Sequence, residues 1–228
     1  MTDAESKRIR ITRNGPYLVS GTVPLSEEII VSQDGDYRMQ PGRVFRITGS
    51  YALCRCGQSS QMPFCDGSHA RFGFDGTETA ARIPFRDCAG LMQGPGLTLA
   101  DNEPLCALAR FCHTHAGTVW ELTEQSADPA ARQLAIAAAA ACPSGRLIAL
   151  AAVTGAAVEN DYEPSIVVIQ DPEFGVSGPL WVRGGIPVVS ADGETYEVRN
   201  RVTLCRCGQS RNKPFCDAGH VRSGFREK

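Results

Sequence analysis

The chain has 228 residues, 43% of them hydrophobic and 21% charged, with a formal net charge of −2 and a pI near 6.1. That is the composition of a globular protein, without the basic excess that would point to DNA or RNA as a partner. Ten cysteines would suit a secreted disulfide protein. Six of them, however, fall in two repeated sets, and the opening Met-Thr-Asp-Ala-Glu-Ser-Lys-Arg holds no apolar run, so the expectation is a cytoplasmic protein whose thiols serve metals.

In chain order, the segment from Gly15 to Leu25 is rich in β-branched and aromatic residues punctuated by Gly and Pro, which predicts short strands and tight turns. A hairpin is expected around Asp34-Gly35, and Val44–Ile47 reads as the last strand before the first cysteine set. A shorter helix is expected from Glu103 to Phe111, and Val119–Leu122 reads as a strand. Asp128-Pro129 opens a helix that should run through the alanines to Cys142-Pro143, with Asp as N-cap and Pro in the first turn. Leu147–Ala151 and Ile166–Ile169 read as strands. The most apolar stretch, Leu147 to Val158, is far short of the roughly 20 residues a membrane helix needs. Gly178 to Val188 then repeats the Gly15–Leu25 pattern, and Thr195–Val198 reads as the strand before the second cysteine set. The two repeated units span approximately 9–74 and 173–228.

Each unit ends in Cys-x-Cys-x8-Cys-x3-His: Cys54, Cys56, Cys65 and His69 in the first, Cys205, Cys207, Cys216 and His220 in the second. Between 53–74 and 204–225, 15 of 22 positions are identical. Three soft thiolates and one imidazole make a metal site, built twice. Asp66 and Asp217 should cap a short helix on which Cys65/His69 and Cys216/His220, four apart, share one face. Zinc accepts such ligands but usually with two to four residues between paired cysteines. One intervening residue favours two cysteines on one iron of a binuclear cluster, with zinc still open on spacing alone.

Cys-Arg-Cys-Gly-Gln-Ser, Pro-Phe-Cys-Asp-Gly-Ser-His and the trailing Arg-x-Gly-Phe resemble the CDGSH iron–sulfur (NEET, mitoNEET-like) family. The first copy matches that motif throughout, including Ser59 and Pro63. The second keeps its four ligands with Ser210, Pro214 and Asp217 but reads Asp-Ala-Gly-His, which puts its turn and the hydrogen bonds around it in question. The resemblance implies a 2Fe–2S cluster at each site, held by the three cysteines and one histidine named above. It implies an α+β, mainly β fold: two small strand-rich units, 1–74 and 173–228, related by an internal pseudo-twofold. Small family members are homodimers with one cluster per subunit, so this chain is expected to form the pair within a monomer. A neutral imidazole in place of a thiolate eases reduction, and its protonation makes His69 and His220 the expected points of acid-triggered cluster loss.

The insert, 75–172, looks like a divergent single-cluster ferredoxin domain: Cys106 and Cys112 stand as the first and third cysteines of such a set, Ala109 takes the middle place, and Cys142-Pro143 supplies the distant Cys-Pro. These cysteines either hold a third cluster or are small core residues. Cys88 is expected to be structural, His113 and His115 solvated, Trp120 and Trp181 core. No phosphate loop, dinucleotide fingerprint or nucleophile–base signature is present, so an enzyme is disfavoured. The sequence thus predicts electron transfer with a redox partner protein. The alternative is a pH- or redox-sensitive carrier or sensor handing 2Fe–2S units to an apo acceptor.

Overall fold

The computed structural model describes residues 6–227. In the first half, strands Arg8–Ile11, Tyr17–Ser20 and Tyr51–Leu53 form an antiparallel sheet in which Ile9 faces Val19 and Tyr17 faces Leu53. In the second, Ser165–Asp171, Val176–Arg183 and Arg201–Leu204 repeat that register, Ile166 facing Val182 and Leu180 facing Leu204.

Each sheet then takes a strand from the other half. Val188–Val189 lies parallel to Arg8–Ile11, with Ile9 opposite Val188. Reciprocally, Leu25–Gln33 lies parallel to Ser165–Asp171, with Ile166 opposite Leu25. Leu25 and Val188 are equivalent positions of the repeat, so the exchange is symmetric: an internal pseudo-twofold. Alternation along these strands turns Ile9, Ile11, Tyr17, Val19, Leu25 and Leu53 onto Ile166, Val168, Leu180, Val182, Val202 and Leu204, and both halves share one core. Neither half could bury its apolar face without the other's strands.

The Asp34-Gly35 hairpin joins Leu25–Gln33 to Asp36–Phe45, with both turn residues at positive φ, 54° and 84°. Its second strand ends at Phe45, and the strands that deliver the first cysteines are Tyr51–Leu53 and Arg201–Leu204 rather than Val44–Ile47 and Thr195–Val198. Thr195 makes only an isolated bridge to Val189.

The middle segment folds as a four-stranded antiparallel sheet, in the order 157–158, 147–151, 97–101 and 90–93, covered by helices Val119–Glu124 and Pro129–Ala141. Asp128 caps the longer helix by accepting from the Ala130 and Ala131 amides. Val119–Leu122 is helical, not a strand: Thr118 and Glu121 form a reciprocal capping box, a local signal that outweighs the apolar run behind it. Trp120 therefore lies half-buried on a helix, its Nε1 donating to Asp101 Oδ2 at 3.2 Å, whereas Trp181 is a buried strand residue as expected. The expected Glu103–Phe111 helix is a single 3₁₀ turn, Glu103–Leu105, followed by an irregular loop with Leu108 and Arg110 at positive φ. Ala109 and Phe111 bury against Val167, Ile169 and Trp181, and Arg110 makes a bidentate ion pair with buried Asp171 (2.7 and 2.9 Å), so tertiary contacts hold this loop open.

Arg201 is a second buried tie. It donates to the carbonyls of Cys142, Ala139 and Leu147 and pairs with Glu159, linking the middle segment to the strand that leads into Cys205. Among the described residues no helix is long and apolar enough to cross a membrane.

Candidate metal centres

The two Cys-x-Cys loops are built alike. Cys54 N donates to Pro63 O and Cys65 N to Ala52 O; Cys205 and Cys216 do the same with Pro214 and Thr203. The hydroxyls of Ser59 and Ser210 donate to the carbonyls of Phe64 and Phe215, at 2.6 and 2.7 Å. These bonds close each eight-residue excursion, and both Met62-Pro63 and Lys213-Pro214 are cis.

Within each loop the donors stand as two pairs. Cys54 Sγ lies 3.7 Å from Cys56 Sγ, and Cys65 Sγ 3.4 Å from His69 Nδ1. In the second copy Cys205–Cys207 is 3.6 Å and Cys216–His220 Nδ1 3.4 Å. Among the described residues no three or more His, Cys, Asp or Glu side chains converge as a group that could hold a metal ion. The contact with Cys56 and the amides of Ser59, Gly57 and Cys56 draw the Cys54 thiol down to about 6 against the opposing effect of burial; Cys205 is drawn down to about 7 in the same way. A turn of converging N–H groups around the first thiolate is an anion-favouring nest.

Asp66 and Asp217 stand two residues before the helical turns 68–71 and 219–222, whose N-caps are Gly67 and Ala218 rather than the aspartates, so Cys65 and Cys216 lie just outside the helices that carry His69 and His220. Asp66 accepts from the Ser60 and Ser68 amides and the Ser60 hydroxyl, which holds its carboxyl well below the usual range. Asp217 accepts from the amides of Arg211 and Gly219. The Asp-Ala-Gly-His departure leaves this turn intact. Ala218 takes the left-handed place of Gly67 (φ 63° against 83°), and Gly219 stands where Ser68 does. A Cβ on Gly219 would lie 2.8 Å from Gln209 O, so Ser cannot be restored there. Gly219→Ser is expected to lose the iron of the second site alone, while Ala218→Gly, which removes a left-handed Ala, keeps it and stabilises the fold by up to about 1 kcal/mol. Iron per chain and the thermal midpoint of each variant test this; full iron in Gly219→Ser would refute it.

The two sites touch. A Cβ on Gly57 would stand 2.5 Å from Cys207 O, and one on Gly208 2.7 Å from Cys56 O, so the loops pack backbone to backbone across the pseudo-twofold. Tyr17 also reaches across, its hydroxyl donating to Cys205 O at 2.8 Å.

Residues 14–70 and 177–221 match the iron-binding zinc finger of CDGSH type, and residues 92–151 match the divergent 4Fe-4S mono-cluster domain. The chain carries two CDGSH iron–sulfur segments. No curated protein and no solved structure matches it.

The CDGSH segments differ in their surroundings. His220 is 3% exposed, and burial, with the Arg206 charge, lowers its pKa to about 4. His69 is only half-buried and opens on a surface cleft beside Arg13, Asn14 and Phe74. The middle residues of the two Cys-x-Cys pairs, Arg55 and Arg206, are both buried. Arg55 donates to Gly15 O and Thr12 O, and Arg206 to the equivalent carbonyls of Gly178 and Ile169. In the sequence these arginines stand out only by their repetition inside the motif.

The mono-cluster segment packs on the second CDGSH site. Asn212 Nδ2 donates to Pro104 O at 3.2 Å, two residues before Cys106, and the Cys106 thiol contributes to raising that of Cys216, after burial, Cys205 and Asp217. Burial and the thiols of Cys142 and Cys106 push Cys112 up to about 11. Cys88 is exposed and accepts from Asn102 Nδ2. His113 and His115 are exposed, His115 pairing with Asp36.

Proposed function

We propose that the chain holds two 2Fe–2S clusters, one on Cys54, Cys56, Cys65 and His69 and one on Cys205, Cys207, Cys216 and His220, and serves electron transfer without being an enzyme. The paired donors carry this reading. Metal–sulfur bonds of about 2.3 Å at a tetrahedral angle set two thiolates about 3.7 Å apart, and a thiolate and an imidazole about 3.5 Å apart. Each Cys–Cys and Cys–His pair has the separation of two ligands on one tetrahedral iron, so the donor set fits two irons per site. Zinc would draw all four donors to one point. A bound cluster supplies one-electron chemistry. The residues' part is to hold it by two ligands per iron, to offset its charge with the amide nest and a buried arginine, and to keep the two sites in backbone contact.

A third site on Cys106, Cys112 and Cys142 is a second element of the reading. It is favoured by the open 106–112 loop, whose anchoring through Arg110 and Asp171 leaves Cys112 within electrostatic reach of both Cys106 and Cys142. The alternative function, handing clusters to an apo iron–sulfur acceptor, is favoured by the half-exposed His69. We read the chain as cytoplasmic, with a redox or acceptor protein as partner, and as a monomer, which the reciprocal strand exchange supports. Iron, acid-labile sulfide and zinc per chain, measured on protein purified without oxygen, test this. Four irons and four sulfides without zinc are expected from the two CDGSH sites, and seven or eight irons if the third is filled. Zinc without sulfide would end the reading.

A further inference from the structure

Repetition makes the second half of the chain a reference for the first, and around the buried arginines the two halves differ. Arg206 Nη1 meets the carboxylate of Glu227, whose side chain is 15% exposed. Glu227 in turn accepts from Gln170 Nε2 at 3.1 Å, which also donates to Glu27 at 3.0 Å. The second CDGSH site therefore has a buried guanidinium answered by a largely buried carboxylate, with Glu27 beside it and the more exposed Arg43, whose charge is screened by solvent, pairing with both carboxylates from outside.

In the first half, Gly76 occupies the position of Glu227 and Ser190 that of Glu27. Arg55 Nη1, like Arg206 Nη1, is buried without a hydrogen bond of good geometry, but among the described residues Arg55 has no carboxylate at ion-pair distance, whereas Arg206 has Glu227. Asp75 is within electrostatic reach of Arg55, but it is exposed and its carboxylate is taken up by the amide and hydroxyl of Thr77. A solvated carboxylate offsets a buried cation far less than one that shares its low-dielectric surroundings.

Reduction adds one negative charge to a cluster, so its potential rises with net positive charge nearby and falls with burial. At the first site an unanswered buried guanidinium and a half-exposed histidine both favour the added electron. At the second, Glu227 cancels the guanidinium, the histidine is buried, and the thiol-bearing 106–112 loop packs close by. All three differences act in the same direction.

We propose that Arg55, left without the carboxylate that Glu227 gives Arg206, sets the first CDGSH site at a higher reduction potential than the second, so that an electron entering the pair comes to rest at the site whose histidine faces solvent. The proposal rests on the 2Fe–2S reading. Glu227 acts through Arg206 and is a potential-setting, not a ligating, residue. The step is a one-electron reduction of one ferric ion to ferrous, with dithionite as donor in the test, and no bond is made or broken.

The test is potentiometry of the anaerobic, fully loaded protein, followed by the electron paramagnetic resonance of each reduced site. Two midpoints are expected. His69→Cys, which adds a thiolate to the first site, should lower the upper midpoint alone and so assign it. Glu227→Gln should raise the lower midpoint toward the upper and leave the upper in place; Glu27→Gln serves as a second variant of the same sign should the first lose its fold. Coincident midpoints, the reverse assignment, or a lower midpoint that neither variant moves would overturn the proposal. Protein lacking iron and sulfide would instead overturn the cluster reading beneath it.

Discussion

Gly57→Val is expected to empty both CDGSH sites of iron, although only the first copy is altered. Gly57 sits at φ +76°, and its added Cβ would lie 2.5 Å from the carbonyl oxygen and 2.9 Å from the carbonyl carbon of Cys207. Those are backbone atoms of the opposite loop and cannot swing aside as a side chain would. The left-handed conformation alone costs about 1–2 kcal/mol, more for a β-branched residue, and forced overpacking adds about 1–3 kcal/mol. The loops must separate, and each carries the first two thiolates of its site. Gly73→Val is the control: Gly73 also has a positive φ, +59°, but nothing lies within 4 Å of its Cβ position. It carries the conformational cost without the clash and should keep its iron. Iron and sulfide per chain decide the matter. A Gly57→Val protein that loses only half its iron would show that the loops do not depend on each other.

Acidification should remove the two proposed clusters in separate steps. An imidazole that leaves iron must take up a proton for the loss to be lasting. The half-buried His69 ring reaches solvent through its cleft, so water and acid have direct access to the first site. At the second site burial first, and the Arg206 charge next, hold the His220 pKa near 4, below its ordinary 6.5. The sign follows from linkage: between these values the folded ring is neutral and the unfolded ring protonated, so the contribution to stability is full above about 6.5 and is lost as the pH falls toward 4. On acidification the first site should therefore lose its iron before the second, giving a plateau at half the cluster absorbance, with the second step at or below about pH 4. His69→Cys should abolish the first step. A single transition in the parent protein would count against the difference between the sites.

Both candidate sites were legible in the sequence because their motifs are local. A Cys-x-Cys, a proline before the third cysteine and a histidine four residues on lie within one short loop, and backbone bonds inside that loop are enough to bring the donors together as two pairs. The helix at 129–141 was legible for the same reason, since its N-cap and first-turn proline are neighbours in the chain. The capping box at Thr118 and Glu121 is equally local, but the apolar run Val119–Leu122 taken alone has the composition of a strand. The open 106–112 loop could not be read locally, because what holds it is Arg110 on Asp171, 61 residues away.

The sequence by itself determined that there are two metal-binding motifs with eight candidate ligands, that they are copies, and that a different segment separates them. Tertiary structure decided what the copies do to each other: that each sheet is completed by the other half's strand, that the two cysteine loops meet backbone to backbone, and that the middle segment leans on the second site. It also decided that the copies are unequal, His69 toward solvent and His220 sealed, Arg55 unanswered and Arg206 paired with Glu227. The physical reason is that ligand identity is a property of neighbouring residues. Burial and charge compensation are properties of whatever chain, near or far in sequence, comes to fill the surrounding volume.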